Sequence, residues 1–250
     1  FAFNAYAQIY QWAKNVGNAT SGEWLYGMVA DAVGNTISVG YFRNTVDFDP
    51  GPGVFNLTGS NNYLATYILK LDAAGNFVWA KAIVSGGNIR GYSIATDLDG
   101  NILIGGTFNG ICDFDPGPGS YTGTASSNSA AYLLKLDPNG NFLWVREINS
   151  SWDDDYAYAL TVDSAGNVYT TGRQSSTIDF DFGPGTSYLY GTDNLYVLKV
   201  NAAGNYVWVK GFGTDGIKEI MGIKSDAHGN LTMTGHYNAN FDTDPGPGTN

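Results

Sequence analysis

Asp113-Phe114-Asp115-Pro116-Gly117-Pro118-Gly119 occurs four times with small changes. The other copies run Asp47 to Gly53 (DFDPGPG), Asp179 to Gly185 (DFDFGPG) and Asp242 to Gly248 (DTDPGPG). The second Asp of each copy steps from 49 to 115, 181 and 244, which is 66, 66 and 63 residues. A fixed period of that size marks a repeat architecture, and everything else in the chain is read within it.

A second signal is interleaved with the first. The pattern Asp-x-x-Gly-Asn appears at 31–35, 72–76, 97–101, 137–141, 163–167 and 226–230, and as Asn-x-x-Gly-Asn at 201–205. The first side chain caps the turn amides, and Gly takes the left-handed conformation that closes a short hairpin. Runs rich in β-branched and aromatic residues flank each turn, such as Tyr158 to Val162 and Val168 to Thr171. The turns at Asp31, Asp97, Asp163 and Asp226 form one set; those at Asp72, Asp137 and Asn201 form the other. Each repeat therefore holds two hairpins and four strands, A to D. In the second repeat these are 94–96, 102–108, 132–136 and 142–148, with the Pro-Gly motif between B and C. Trp79, Trp144 and Trp208 recur in strand D, followed two residues later by Lys81, Arg146 and Lys210. Lys70, Lys135 and Lys199 recur in strand C, where each is expected to pair with a neighbouring Asp. No segment carries helical periodicity.

The chain has 250 residues, 34 Gly and a net charge of −11. Of its 23 acidic residues only Glu23, Glu147 and Glu219 are Glu, so the acid excess is turn chemistry. That charge argues against nucleic acid and against an anionic membrane surface as partners. Cys112 is the single cysteine, so there is no intrachain disulfide; it reads as a small buried apolar residue. No stretch approaches the roughly 18 apolar residues of a transmembrane helix. Residues 1–7 end in Ala5-Tyr6-Ala7 and read as the remnant of a secretory signal peptide, with an ordinary first strand as the other reading.

Four antiparallel strands per repeat, stacked side by side, are the signature of an all-β propeller. Leu133-Leu134-Lys135-Leu136-Asp137, Gly140-Asn141-Phe142 and Trp144, following strand A, Asp-x-x-Gly-Asn and strand B, resemble the seven-bladed β-propeller repeat family of secreted bacterial proteins. The resemblance covers nearly all of the chain after Gln8; the inserted Pro-Gly motif departs from it. It implies a secreted or cell-surface role, often in modular proteins with a C-terminal export or anchoring domain. Blades are expected at about 24–84, 91–148 and 156–211, with a partial fourth at 217–250: about three and a half blades of a larger, seven-bladed ring, or most of a four-bladed one. Ile9-Tyr10-Gln11-Trp12-Ala13-Lys14 matches strand D with nothing before it, so residues 8–16 read as an orphan outer strand that closes the ring.

Two constellations could carry chemistry. In each Pro-Gly motif the two Asp share one side of an extended segment and Phe takes the other. The pairs Asp47 and Asp49, Asp113 and Asp115, Asp179 and Asp181, and Asp242 and Asp244 suit Ca²⁺, which takes 6–8 oxygens; equally, they suit a rigid turn whose Asp residues cap backbone amides. The loop Ser151-Trp152-Asp153-Asp154-Asp155 places an aromatic beside three acids, so Trp152, Asp153, Asp154 and Asp155 are candidate ligand contacts, or a solvated acidic loop. His228 and His236 have no evident partner, and no nucleophile elbow, phosphate loop or HExxH occurs. The expectation is a non-catalytic binding or scaffolding module that meets a protein or glycan at the cell surface. The alternative is a polysaccharide hydrolase or lyase on the same scaffold.

Overall fold

The computed structural model describes residues 11–17, 22–60, 62–125, 128–149, 155–191, 194–212, 218–226 and 228–237. All secondary structure among them is β. The first blade takes β1 (Trp24–Ala30) and β2 (Thr36–Phe42), a short ribbon of β3 (Thr45–Asp47) and β4 (Asn56–Thr58), then β5 (Ala65–Leu71) and β6 (Phe77–Ile83). The second repeats this with β7 (Ile89–Thr96), β8 (Ile102–Phe108), ribbon β9 (Ile111–Asp113) and β10 (Thr122–Thr124), β11 (Ala130–Leu136) and β12 (Phe142–Ile148). The third has β13 (Tyr156–Val162), β14 (Val168–Gln174), ribbon β15 (Ile178–Asp179) and β16 (Tyr188–Leu189), β17 (Asn194–Val200) and β18 (Tyr206–Phe212). A further hairpin follows, β19 (Lys218–Ser225) and β20 (Leu231–Tyr237). Each complete blade is one antiparallel sheet in chain order A-B-C-D.

The hairpin turns form as the sequence dictates. Asp97 Oδ1 accepts the amides of Asp99 and Asn101, its Oδ2 accepts Asn101 Nδ2, and Gly100 sits at φ 78°. The other copies repeat this geometry, Gly140 at φ 77° included. Burial pushes the Asp97 carboxyl up, but hydrogen bonds from Lys135 and Asn101 outweigh it and hold it below the ordinary carboxylate range.

The core lies between blades. Ile37, Val39, Ile68 and Ile83 of the first blade meet Phe108, Tyr132, Leu134 and Leu136 of the second, all buried. β5, β8 and β11 are buried along their whole length because both of their faces are covered, and their residues are mostly apolar. Cys112 sits in this first interface at 0% exposure, its Sγ 4.0 Å from the Val84 carbonyl. Leu103, Leu133 and Ile148 likewise meet Phe180, Tyr196 and Leu198 across the next interface.

Polar groups lock adjacent blades at the turn face. Lys135 Nζ lies 2.8 Å from Asp97 of its own blade and donates to the Ala202 carbonyl of the next. Lys70 does the same with Asp31 and Pro138. Trp144 Nε1 donates to Ala202 O, and its ring lies over Gly204 in that turn. Trp79 covers Gly140 in the same way. The pairing of these Lys residues with Asp is as expected from the sequence, and the recurring strand-D Trp residues serve the contact between blades. Trp12 lies over Gly75 and donates to Ala73 O at 3.0 Å, so it stands to the first blade as Trp79 does to the second. Residues 11–17 themselves form no strand.

The described part of the expected outer strand at 8–16 is thus not a strand, and two further features differ from the sequence expectation. Inner strand β7 starts at Ile89 rather than 94, and the Pro-Gly insertion is carried on a two-stranded ribbon rather than a bare loop.

Candidate functional site on the inner strands

Glycine recurs at one register of strand B: Gly40, Gly106, Gly172 and Gly235. A Cβ at these positions would overlap the carbonyls of Trp24, Arg90, Tyr156 and Glu219 respectively. The close approach accompanies a β-bulge in every inner strand. Register shifts occur between Leu25 and Gly27, Gly91 and Ser93, Ala157 and Ala159, and Ile220 and Gly222. Each leaves one extra residue, which a bulge re-aims out of the ladder: Tyr26, Tyr92, Tyr158 and Met221. In the third blade the Tyr196 hydroxyl donates to the Tyr156 carbonyl at 2.8 Å and braces the bulge.

The inner strands lie side by side, so these residues meet. A cleft of about 320 Å³ runs along them, lined by Tyr26, Tyr92, Tyr158 and Met221 among others. The ring centroids of Tyr26 and Tyr92 are 5.2 Å apart at 88°, and those of Tyr92 and Tyr158 are 6.4 Å apart. Tyr156 stacks on Tyr158 at 5.1 Å and 7°. At the other end Tyr26 touches Tyr41, and Tyr41 touches Trp24, at 5.6 and 6.3 Å. Six rings thus form one continuous surface. Trp24 is 59% exposed and Tyr26 48%.

Charge is placed at its edge. Arg90 lies over the Tyr41 ring at 5.9 Å. Burial, and then the Glu219 carboxylate, push the Tyr158 hydroxyl well above the ordinary phenol range, so it stays a neutral donor. Trp24, Arg90, Tyr156 and Glu219 share one register, and their cross-strand partners are Tyr41, Thr107, Arg173 and His236. The scaffold repeats around this row while the row itself varies. It sits at the starts of the inner strands, the end opposite the Asp-x-x-Gly-Asn turns. Sequence reasoning missed this site; Tyr26, Tyr92 and Tyr158, spaced by 66 residues next to unlike neighbours, are the signal that could have found it.

The sequence-derived candidates fare differently. Trp152, Asp153 and Asp154 lie outside the described residues, as do Asp242 and Asp244 and residues 1–7. Asp155 is fully buried, and its Oδ1 accepts Ser175 N and Oγ at 3.2 and 3.3 Å. In the Pro-Gly loops Phe48, Phe114 and Phe180 point inward at 0% exposure. Asp113 Oδ1 accepts the amides of Asp115 and Tyr121, and Asp115 Oδ1 accepts Gly117 N at 2.7 Å. Asp47 and Asp49 repeat these bonds, as do Asp179 and Asp181. Burial raises the Asp113 carboxyl, but the Tyr121 and Asp115 amides bring it below its ordinary value. Among the described residues no three His, Cys, Asp or Glu side chains gather in one place. No helix among them is long and apolar enough to cross a membrane.

Residues 143–180 match a family model described as "Beta-propeller repeat". The chain is 26% identical over 264 residues to an uncharacterized WD repeat-containing protein of Acanthamoeba polyphaga mimivirus, covering 92% of this chain and 19% of that protein. It is 26% identical over 149 residues to the regulatory protein FlaEY of Caulobacter vibrioides, covering 60% of this chain and 14% of that protein. The chain therefore spans under a fifth of these curated relatives. A Bacteroides caccae protein of unknown function aligns in structure at a TM-score of 0.30 and 9% identity, covering 76% of this chain and 82% of that one. By its sheets and by the repeat match, the chain is built of four-stranded antiparallel β-propeller blades.

Proposed function

We propose that this chain is a non-catalytic binding and scaffolding module of a secreted or cell-surface protein, and that it holds a glycan across the aromatic surface of its inner strands. The observation that carries this reading is the bulge in every inner strand. A repeated backbone device, kept by a repeated glycine, presents Tyr26, Tyr92, Tyr158 and Met221 to one cleft. Aromatic rings offer flat apolar faces for the C–H side of a sugar and hydroxyls for its polar rim, and such convergence in a cleft marks a ligand site.

The test is a panel of soluble glycans and extended peptides against the full chain, read by calorimetry and by tyrosine fluorescence. Glycan binding in the parent, weakened about tenfold in Tyr92→Ala with the melting temperature kept, is the expected outcome, since a stacked ring is worth up to about 1.5 kcal/mol beyond the area it buries. Binding of peptides alone would replace the glycan reading by a protein-binding one. Turnover of any glycan would favour the hydrolase or lyase alternative.

A further inference from the structure

The geometry points to a carboxylate-bearing saccharide, a uronic-acid glycan, as the class of ligand at this surface, with Arg90 as the residue that selects it. This inference rests on the proposed glycan site and adds the charge of its ligand.

The argument begins with where the cations of the chain are spent. Lys70, Lys135 and Lys199 face the turn carboxylates of Asp31, Asp97 and Asp163. Arg146 donates to the carbonyls of Val145, Ala203 and Gly204 and lies between the Trp144 and Phe182 rings. Those roles belong to the scaffold. Arg90 is different. It is half-buried at the aromatic surface, its guanidinium lies on the Tyr41 ring, and among the described residues it has no carboxylate partner. Arg146 likewise has no carboxylate partner among them, but backbone carbonyls take its N–H groups.

Its register excludes a packing requirement common to all blades, because the same position holds Trp24, Tyr156 and Glu219 elsewhere. The guanidinium carbon lies 5.9 Å from the Tyr41 ring centroid, a cation–π distance that places the charge at this surface. A planar fork of donors matches a carboxylate in bidentate geometry, and Arg90 is already half-buried. A sugar ring stacked on one of Tyr26 and Tyr92, whose planes meet at 88°, would bring a carboxylate on its rim beside Arg90. The general negative field of the chain opposes an acidic polymer at long range, so selection comes from this local pairing, and binding should rise with salt before it falls.

The experiment compares oligogalacturonate with its neutral methyl ester on the full chain by calorimetry. The expected result is at least about a tenfold preference for the free acid, in line with a charge-assisted hydrogen bond of about 1.5–3 kcal/mol. Arg90→Gln should shrink the preference to within about twofold while ester binding persists, and Arg90→Lys should keep part of it. Melting curves of both variants should match the parent. Equal affinity for acid and ester, or a preference that survives Arg90→Gln, overturns the inference. If neither compound binds while a neutral glycan does, and Tyr92→Ala abolishes that binding, the uronate inference falls and the glycan site stands. If no glycan of any kind binds, the site reading itself has failed.

Discussion

At the scale of single residues, the Pro-Gly motif is held by its own carboxylates. Asp115 bonds Gly117 N, and its other oxygen occupies the space where a Cβ at Gly119 would sit. Gly53 and Gly185 stand in the same relation to Asp49 and Asp181. Gly119→Ala should therefore lower stability by about 1–3 kcal/mol in a urea melt, as overpacking does. Gly86→Ala, where a Cβ meets nothing closer than 3.5 Å, should cost far less. Asp113→Ala removes the acceptor of two amides and should cost a similar 1–3 kcal/mol. Because one oxygen of each carboxylate already serves amides, we expect the melting midpoint to be the same in Ca²⁺ and in chelator. A midpoint that rises with Ca²⁺, with about one ion per motif, would make the Asp residues metal ligands instead. The sequence allowed both roles: alternation placed Phe48 inside and the acids outside, but which groups an Asp oxygen meets depends on how the following turn folds back.

At the scale of the element, the repeat varies by compensation. Leu189 of the third ribbon lies across from Gly211 of strand D, where a Cβ would press on it, and Leu57 and Ala82 hold the matching sequence positions in the first blade. The second blade reverses this, with Glu147 filling the space over Gly123. Burial raises the Glu147 carboxyl, only partly offset by the Thr124 amide it accepts. Gly123→Leu alone should destabilise, because the new side chain meets Glu147 and Phe114. Glu147→Ala should recover part of the loss, with a coupling of about 0.5–3 kcal/mol in a double-mutant cycle. Strands B, C and D and every hairpin turn were legible in the sequence, since turn chemistry and mostly apolar runs are local signals. The inner strands were legible only in part: the run Tyr158 to Val162 covers most of β13, whereas 94–96 covers only the end of β7. Their bulges break the alternation a strand is recognised by, and that hid the aromatic surface.

At the scale of the whole molecule, blades meet their neighbours through apolar faces and a polar lock at the turn face. Asp97 titrates below its ordinary value, so its contribution is full above about pH 3.9 and disappears as the pH falls through the lowered folded value. Asp97→Asn should flatten the acid limb of the stability curve below about pH 4. Trp144→Ala should loosen the joint between the second and third blades and raise protease cleavage there before the first joint opens. The position of Trp12 over Gly75 extends this ladder by one step, as its match to strand D suggested. How many blades complete the architecture is a property of neighbours and not of any one repeat, which is why local patterns fix the blade and leave the count open. The lone thiol turns this stacking into a clock. Cys112 lies sealed between the first two blades, with burial and then Asp113 and Glu147 holding it protonated, so an alkylating reagent can reach it only while that joint is apart. Labelling rates across a denaturant series would therefore time the parting of two neighbouring blades in the unmodified protein.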